Sequence, residues 1–159
     1  MTTTQYPACI RDLYESEIFG EAASLAVLQA ADNERDKYHF GTLLQLETET
    51  KARLRPFLAK YGLSLCEEMD LGDVPGAVAA YKGGGMQGFA AANAPVVESF
   101  LARFKEIEQA GPPEDKEVLQ SMIRHEMAIL EWMNKEAQGP ADGSLNAIIA
   151  ELQYPLPKP

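Results

Sequence analysis

The sequence predicts an all-α fold, a four-helix bundle with one long crossover and a short C-terminal helix. Apolar residues recur at helical spacing in four long segments, and no stretch of useful length alternates as a β-strand would. Short turn signals at Asp32-Asn33 and Gly111-Pro112-Pro113 separate the first helix from the second and the third from the fourth. A much longer connection separates the second and third helices, which is typical of bundles with one crossover. The 159 residues are expected to form a single domain, 1–159.

The composition excludes several classes of partner. The formal net charge is −10, and proteins that bind nucleic acids or anionic membranes non-specifically use basic surfaces. The two cysteines, Cys9 and Cys66, show no C-x-x-C spacing, so they are interpreted as reduced thiols of an intracellular protein. No signal peptide and no membrane-spanning apolar stretch is predicted. We therefore expect a soluble cytoplasmic protein.

The first two helices each carry carboxylates among their apolar residues. The first is predicted over residues 10–31, where Glu17 and Glu21 share a face with apolar side chains. The second is predicted over residues 34–61, capped by the preceding Asp-Asn turn and ended by a glycine. Its apolar stripe is interrupted by Glu47. A carboxylate on a buried face is costly unless another group compensates its charge.

The region between the second and third helices is predicted to be a long connection. Residues 64–93 are interpreted as a link that carries one short helix, 74–81. The glycine-rich run 82–88 is predicted to be a flexible break. It matches no phosphate-binding loop, because neither the Walker spacing nor a strand–loop–helix context is present.

The third helix is predicted over residues 94–110, with Glu98 at the edge of its apolar side. The fourth follows the Gly-Pro-Pro turn and ends before the next Gly-Pro pair. In its apolar stripe, His125 and Glu126 interrupt the pattern. A short fifth helix is predicted over residues 144–152.

The glutamates of the four helices are predicted to lie at one depth. In a helical hairpin, two residues lie level when the midpoint of their positions falls on the turn. Glu98 and Glu126 satisfy this condition for the second hairpin, and Glu17 and Glu47 satisfy it for the first; Glu21 with Glu47 is about one helical turn off. Four inward carboxylates at one level would repel each other strongly. A pair of divalent ions would relieve the repulsion, and oxygen ligands suit iron or manganese.

Three stretches of the chain resemble a known family. They are ESEIFGEAASL, LLQLETETKARL and RHEMAILEWMNKEAQG. Over about Tyr14 to Glu136, the pattern is similar to that of the ferritin-like, rubrerythrin-like di-iron carboxylate proteins. In that family the first and third helices each supply a Glu, and the second and fourth each supply Glu-x-x-His. The resemblance implies the metal ligands Glu17 or Glu21, Glu47, Glu98 and Glu126.

The chain departs from the family pattern at both histidines. Thr50 stands three residues after Glu47, and Ile129 stands three residues after Glu126. The only two histidines are His39 and His125, and neither completes a Glu-x-x-His motif. We interpret His125 foremost as a hydrogen-bonded core histidine and keep it as a candidate ligand. His39 lies two turns from Glu47, where it could serve only outside the ligand shell.

The sequence supports two functional hypotheses. A di-iron or di-manganese centre implies dioxygen or peroxide chemistry of the oxidase or oxygenase type, with dioxygen or a small molecule as substrate. The rival hypothesis, favoured by the missing histidines, is a metal-poor, non-catalytic binding or assembly module. A homodimer is expected in either case. A tRNA-modifying hydroxylase-like relative is a weaker third hypothesis, because RNA binding requires a basic face.

Overall fold

The computed structural model describes residues 5–158, and within that range all regular secondary structure is helical. The all-α class is therefore confirmed. None of the helices in this part of the chain combines the length and the apolarity that a transmembrane span requires. A 3₁₀ turn, Pro113–Asp115, lies directly before the fourth helix. The helices are α1 (Tyr6–Ala30), α2 (Glu34–Lys60), α3 (Val74–Ala110), α4 (Lys116–Glu136) and α5 (Asn146–Glu151).

The helix starts follow from local capping chemistry. The Asn33 side chain accepts a hydrogen bond of 2.9 Å from the backbone N–H of Asp36, so it caps α2 as the sequence predicts. The Asp73 side chain accepts a bond of 3.0 Å from the N–H of Gly76 and caps α3 in the same way. Gly62 follows α2 with a φ of 66°, a conformation that glycine adopts without strain. These caps fix where the chain turns between its long helices.

The largest difference from the predicted secondary structure concerns α3, which begins at Val74 rather than near residue 94. The predicted break over residues 82–88 is a single kink at Gly85 (φ 61°, ψ −155°), between helical segments 74–84 and 86–110. Helical structure continues because the buried residues Met86, Phe89, Ala90, Ala94 and Val97 keep helical spacing on one face. The glycine content of the sequence obscured that pattern.

The kink predicts that alanine substitutions at Gly85 and Gly84 change the free energy of unfolding in opposite directions. Gly85 lies in a region of backbone conformation used almost only by glycine, so Gly85→Ala is expected to destabilise the protein by about 1–3 kcal/mol. Gly84 is helical and a Cβ there would meet no other atom, so Gly84→Ala is expected to stabilise it by about 0.5–1 kcal/mol. Urea unfolding of both variants measures the two effects. Equal effects of the two substitutions would contradict the kink.

The four long helices enclose a common interior. α1 packs on α2 and α3, while α4 packs on α3, α2 and α5. The core consists of two apolar clusters at different levels. One is built around Val27, Phe40, Phe89 and Trp132. The other is built around Ile10, Leu13, Tyr14, Leu54, Phe57, Ile107, Leu119 and Met122. Buried polar residues lie between the two clusters.

A buried carboxylate stabilises each end of the helix assembly. Near the α3–α4 turn, Asp115 accepts hydrogen bonds from the hydroxyls of Tyr6 (2.9 Å) and Tyr61 and pairs with Lys60. This arrangement joins α1, the end of α2 and the start of α4. At the opposite end, Glu136 pairs with Arg35 of α2 at 2.7 Å. Both carboxylates have their charge balanced locally, in contrast to the carboxylates between the apolar clusters.

His39 lies close to Glu136, and its surroundings predict that it contributes a pH dependence to the free energy of unfolding. Its Nδ1 accepts a hydrogen bond of 3.0 Å from Trp132 Nε1, and burial together with the charge of Arg35 lowers its pKa to about 4 despite the nearby Glu136 and Asp36. Because unfolded His39 binds a proton at higher pH than folded His39, the contribution of His39 to the free energy of unfolding falls as the pH drops from about 6.5 towards 4. The expected loss is about 1–3 kcal/mol.

The fluorescence of Trp132, the only tryptophan, reports urea unfolding across this pH range. The variant His39→Gln keeps a possible acceptor for the indole but has no titrating ring. Its free energy of unfolding is expected to depend less steeply on pH than that of the wild type. Equal slopes would show that His39 does not carry the effect.

Candidate metal centre

The buried polar layer, defined here as Glu17, Glu47, Thr50, His125 and Glu126, separates the two apolar clusters. Each of these residues is at most 6% exposed. α1 supplies the first glutamate, α2 the second glutamate and the threonine, and α4 the adjacent histidine and glutamate. The prediction that glutamates of α1, α2 and α4 are buried at one level of the fold therefore agrees with the structure.

The imidazole of His125 lies at the centre of the buried polar layer. Its Nε2 atom is 3.4 Å from Glu17 Oε2 and 3.4 Å from Glu47 Oε2. Its Nδ1 atom is 3.0 Å from Thr50 Oγ1. One donor atom each of Glu17, His125 and Glu126 lies within 4.8 Å of the other two. Two carboxylates and an imidazole at such separations can bind one metal ion.

Thr50 and Arg53 fix the orientation of the His125 ring. Arg53 Nη2 donates a hydrogen bond of 2.8 Å to Thr50 Oγ1, which contacts His125 Nδ1. Histidines that bind metals commonly have their second ring nitrogen held by such a partner. Thr50 occupies the position, three residues after Glu47, where the family pattern has a histidine. The structure brings an imidazole to the layer from α4 instead, an arrangement that the spacing within α2 could not reveal.

Two carboxyl groups of the layer, those of Glu17 and Glu126, have pKa values that are raised by their surroundings. Burial, followed by the charges of Glu47 and Glu126, raises the pKa of Glu17 well above its ordinary value. Burial also raises the pKa of Glu126 to about 8, although the neighbouring His125 acts in the opposite direction. For His125, burial favours a lower pKa, but the charges of Glu47 and Glu126 outweigh it and the pKa is raised. Carboxylates outnumber the imidazole in the layer by three to one, and the raised pKa values favour the protonated forms that reduce this imbalance.

Three buried polar atoms in the described part of the chain form no well-aligned hydrogen bond, although His125 Nε2 lies 3.4 Å from an oxygen of both Glu17 and Glu47: Glu17 Oε1, Glu17 Oε2 and His125 Nε2. All three belong to the buried polar layer and lie close together. A buried polar atom without a partner costs free energy, more so when it carries a charge. A bound cation would satisfy all three atoms at once. The donor set thus fits a metal ion on the chemistry of its own residues.

The structure distinguishes between Glu21 and Glu17 as the ligand from α1. Glu21 is partly exposed, and it accepts hydrogen bonds from Thr48 at 2.6 Å and from Lys51 at 2.5 Å. Lys51 also pairs with Glu67 at 2.6 Å, so its charge is balanced by Glu21 and Glu67 rather than by Glu47. Glu21 therefore belongs to an ion-pair network outside the layer.

Glu98 does not reach the buried polar layer. Its side chain is exposed, whereas its neighbour Val97 and the following Leu101 are buried. A step of one residue rotates a side chain by about 100° around a helix, which is enough to move the carboxylate from the predicted inner edge to the surface. α3 therefore supplies no carboxylate at this level. His39 lies away from the layer, beside Trp132 and Glu136.

Gly20 is required for the position of the Glu47 carboxylate. A Cβ atom at Gly20 would lie 2.6 Å from Glu47 Cδ and within 2.8 Å of both carboxylate oxygens. The carboxylate therefore lies directly against the backbone of α1. The contact joins residues of two different helices, so the periodicity of neither helix reveals it.

A narrow cleft with a cavity volume of about 70 Å³ connects the buried polar layer to the surface between α1 and α3. Glu47 and Glu126 are among its lining residues, and most of the others are apolar. Ile129, at the second position where the family pattern has a histidine, also lines the cleft. A small molecule that enters from the surface could thus reach the carboxylates.

The comparisons with known proteins identify no relative. No protein-family model matches the chain, and no curated protein and no solved structure is similar to it at a significant level. The function must therefore be inferred from the geometry of the buried polar layer.

The Gly20–Glu47 contact predicts that Gly20→Ala lowers the free energy of unfolding of the wild type but raises that of the Glu47→Ala variant. In the wild-type background, Gly20→Ala forces the Glu47 carboxylate to move and is expected to destabilise the protein by about 1–3 kcal/mol. In the Glu47→Ala background the space is free, and the same substitution is expected to stabilise α1 by about 1 kcal/mol. Urea unfolding of the four proteins measures both effects. Equal effects in the two backgrounds would refute the contact.

Proposed function

We propose that the buried polar layer binds a divalent iron or manganese ion, with Glu17, His125 and Glu126 as ligands. The observation that carries this proposal is the group of three buried donor atoms without partners on Glu17 and His125. Two carboxylates and one imidazole are a hard, mixed oxygen and nitrogen donor set that suits either metal. The ion would supply the positive charge that the layer lacks.

The donor set is sufficient for one ion rather than for a symmetric pair. Two imidazoles and four carboxylates serve the two metals of the family pattern. Here one imidazole and three carboxylates are present, because α3 contributes none. Glu47, whose Oε2 lies 3.4 Å from His125 Nε2, is the one further carboxylate placed to bind the same ion or a weaker second one. We therefore expect about one tightly bound ion per chain.

The same observations support a ferritin-like bundle as the fold. The chain has two long helical hairpins, and the first part of α3 with the preceding link provides a crossover between them. Carboxylates from α1, α2 and α4 are buried at one level between two apolar clusters. In this proposal the chain is a divergent member that has lost the α3 carboxylate and has moved its imidazole to the residue before the α4 glutamate.

When bound, such an ion supplies activation of dioxygen or peroxide, which defines an oxidase or oxygenase type of reaction. The residues of the chain contribute binding and orientation. Thr50 contacts His125 Nδ1 and leaves Nε2 directed at the carboxylates. The apolar walls of the cleft keep bulk water away from Glu47 and Glu126, which strengthens their interaction with any cation.

A metal-free structural layer is the rival function, and the raised pKa values favour it. A protonated Glu17 or Glu126 carries no charge and needs no cation. In that case the layer would only position the helices of a non-catalytic binding module. The two functions predict different effects of replacing Glu17 on the free energy of unfolding of the metal-free protein.

The variant Glu17→Met separates the two functions. The Glu17 oxygens are buried and form no well-aligned hydrogen bond, so replacing the carboxyl by an apolar side chain of similar length is expected to stabilise the metal-free protein by about 1–3 kcal/mol. The same change is expected to weaken Mn(II) and anaerobic Fe(II) binding by more than about 100-fold, because a ligand is lost. Urea unfolding measures the first effect, and equilibrium dialysis with metal analysis measures the second.

The matched control is Glu98→Met, which changes the same residue type at an exposed position of α3. It is expected to alter neither stability nor metal binding appreciably. If the wild type binds less than about half an ion per chain and Glu17→Met destabilises it, the layer is structural and the proposed function is wrong. If Glu98→Met weakens metal binding as strongly as Glu17→Met, the ligand assignment is wrong.

A further inference from the structure

One side of the helix assembly is left uncovered within the described part of the chain. α1 packs on α2 and α3, and α4 packs on α3 and α2, so the α1–α3 side lies opposite the α2–α4 side. The short α5 packs on α4 and α2 and covers that side through the buried Ile148. No described helix covers the outside of α1 and α3 in the corresponding way. The α1–α3 side therefore faces outward.

The outer surface of the α1–α3 side is largely without charge. Residues 22–31, in and just after α1, and residues 83–97, in α3, contain no Asp, Glu, Lys or Arg, although 24% of the chain is charged. Charged side chains return at one edge, where Arg103 of α3 pairs with Asp12 of α1 at 3.2 Å. The uncharged face is defined here by six residues that are each at least partly exposed: Phe19, Ala22 and Ala26 of α1, and Ala92, Val96 and Phe100 of α3.

The uncharged face is apolar and continuous across the two helices. Phe19 of α1 and Val96 and Phe100 of α3 line the same narrow cleft, so they lie next to one another. The three alanines stand at intervals of three, four or seven residues from these side chains and therefore continue the same helix surfaces. Their small side chains leave a surface that another helix can approach closely. An apolar centre with a charged edge is typical of protein–protein interfaces.

The charge of the molecule indicates what covers the uncharged face. The formal net charge is −10, so two copies of the chain repel each other wherever their charged surfaces meet. At the uncharged face they meet without bringing like charges together. A nucleic acid or a charged peptide would lose water from its charges there and gain no opposite charge in return. Two-fold pairing sets a surface against its own copy, and an uncharged apolar surface is complementary to itself.

We propose that the uncharged face is the interface of a two-fold symmetric homodimer. α1 and α3 of one copy pack on α1 and α3 of the other, just as α5 packs on the opposite side within each chain. Because Phe19, Val96 and Phe100 also line the cleft, the second copy covers its opening. The inference goes beyond the proposed function and does not depend on a bound ion.

Sedimentation equilibrium of the full chain without added metal tests the interface. The wild type is expected to be a dimer at about 10 μM. Val96→Glu on α3 and Ala22→Glu on α1 each place a carboxylate in the interface, and each is expected to weaken dimerisation at least about 100-fold. Both residues are at least partly exposed in the single chain, so the variants are expected to fold. Far-UV circular dichroism checks their folding.

The matched control is Met127→Glu, which places the same charge at an apolar residue of α4 outside the uncharged face. Met127 is 52% exposed, compared with 41% for Val96, and the control is expected to leave the dimer unchanged. A mixture of Val96→Glu with Val96→Lys is expected to dimerise at least about tenfold more tightly than either variant alone, because opposite charges then enter the same interface.

A wild type that stays monomeric at about 100 μM would overturn the inference. So would a dimer that survives both Val96→Glu and Ala22→Glu, or one that is lost in Met127→Glu. Binding of a monomeric wild type to uncharged phosphatidylcholine vesicles would overturn it too, because lipid would then cover the uncharged face. Since none of these measurements uses a metal, failure of the dimer is distinguishable from failure of the proposed function, which the Mn(II) stoichiometry decides.

Discussion

The close approach of His125 Nε2 to two buried carboxylates is the interaction on which the interior of the protein depends. Glu17 and Glu47 each have a carboxylate oxygen 3.4 Å from that nitrogen, and both residues are buried between two apolar clusters, where burial disfavours the charged form of a carboxyl group. Other features of the sequence serve this contact. Thr50 holds the far side of the ring, and Gly20 leaves room for the Glu47 carboxylate. Each would be an unremarkable residue elsewhere on a helix.

Burying two adjacent residues of one helix requires neighbours on more than one side. His125 and Glu126 differ by about 100° around α4, so one contact face could not cover both. α4 packs against α3 and α2, and the short α5 covers a further side through Ile148. His125 consequently faces Thr50 of α2, while Glu126 faces the cleft. The short C-terminal helix thus contributes to the site without supplying a residue to it.

The sequence predicted the depth of the candidate ligands along the helices better than the direction in which their side chains point. Midpoints across the turns placed Glu17, Glu47 and Glu126 at one depth, because hairpin geometry depends only on the rise per residue. The same method failed for Glu98, since depth says nothing about which way a side chain points. His125 was interpreted from α4 alone, where it is turned away from Glu126. Its contact with Thr50 depends on how α2 and α4 pack, which one helix cannot reveal.

The cleft beside the buried polar layer lies next to α3, the long helix that supplies no candidate ligand. At the level of the buried polar layer, α3 presents Val97 inward and Glu98 outward, and α4 presents Ile129 to the cleft. In a site with ligands from all four helices, these positions would be occupied by groups bound to metal. Here they form apolar walls, and the space between α1 and α3 remains free down to Glu126. Val97 and Ile129 therefore have a joint physical consequence: the layer has fewer candidate ligands, and an apolar route leads from the surface to the carboxylates.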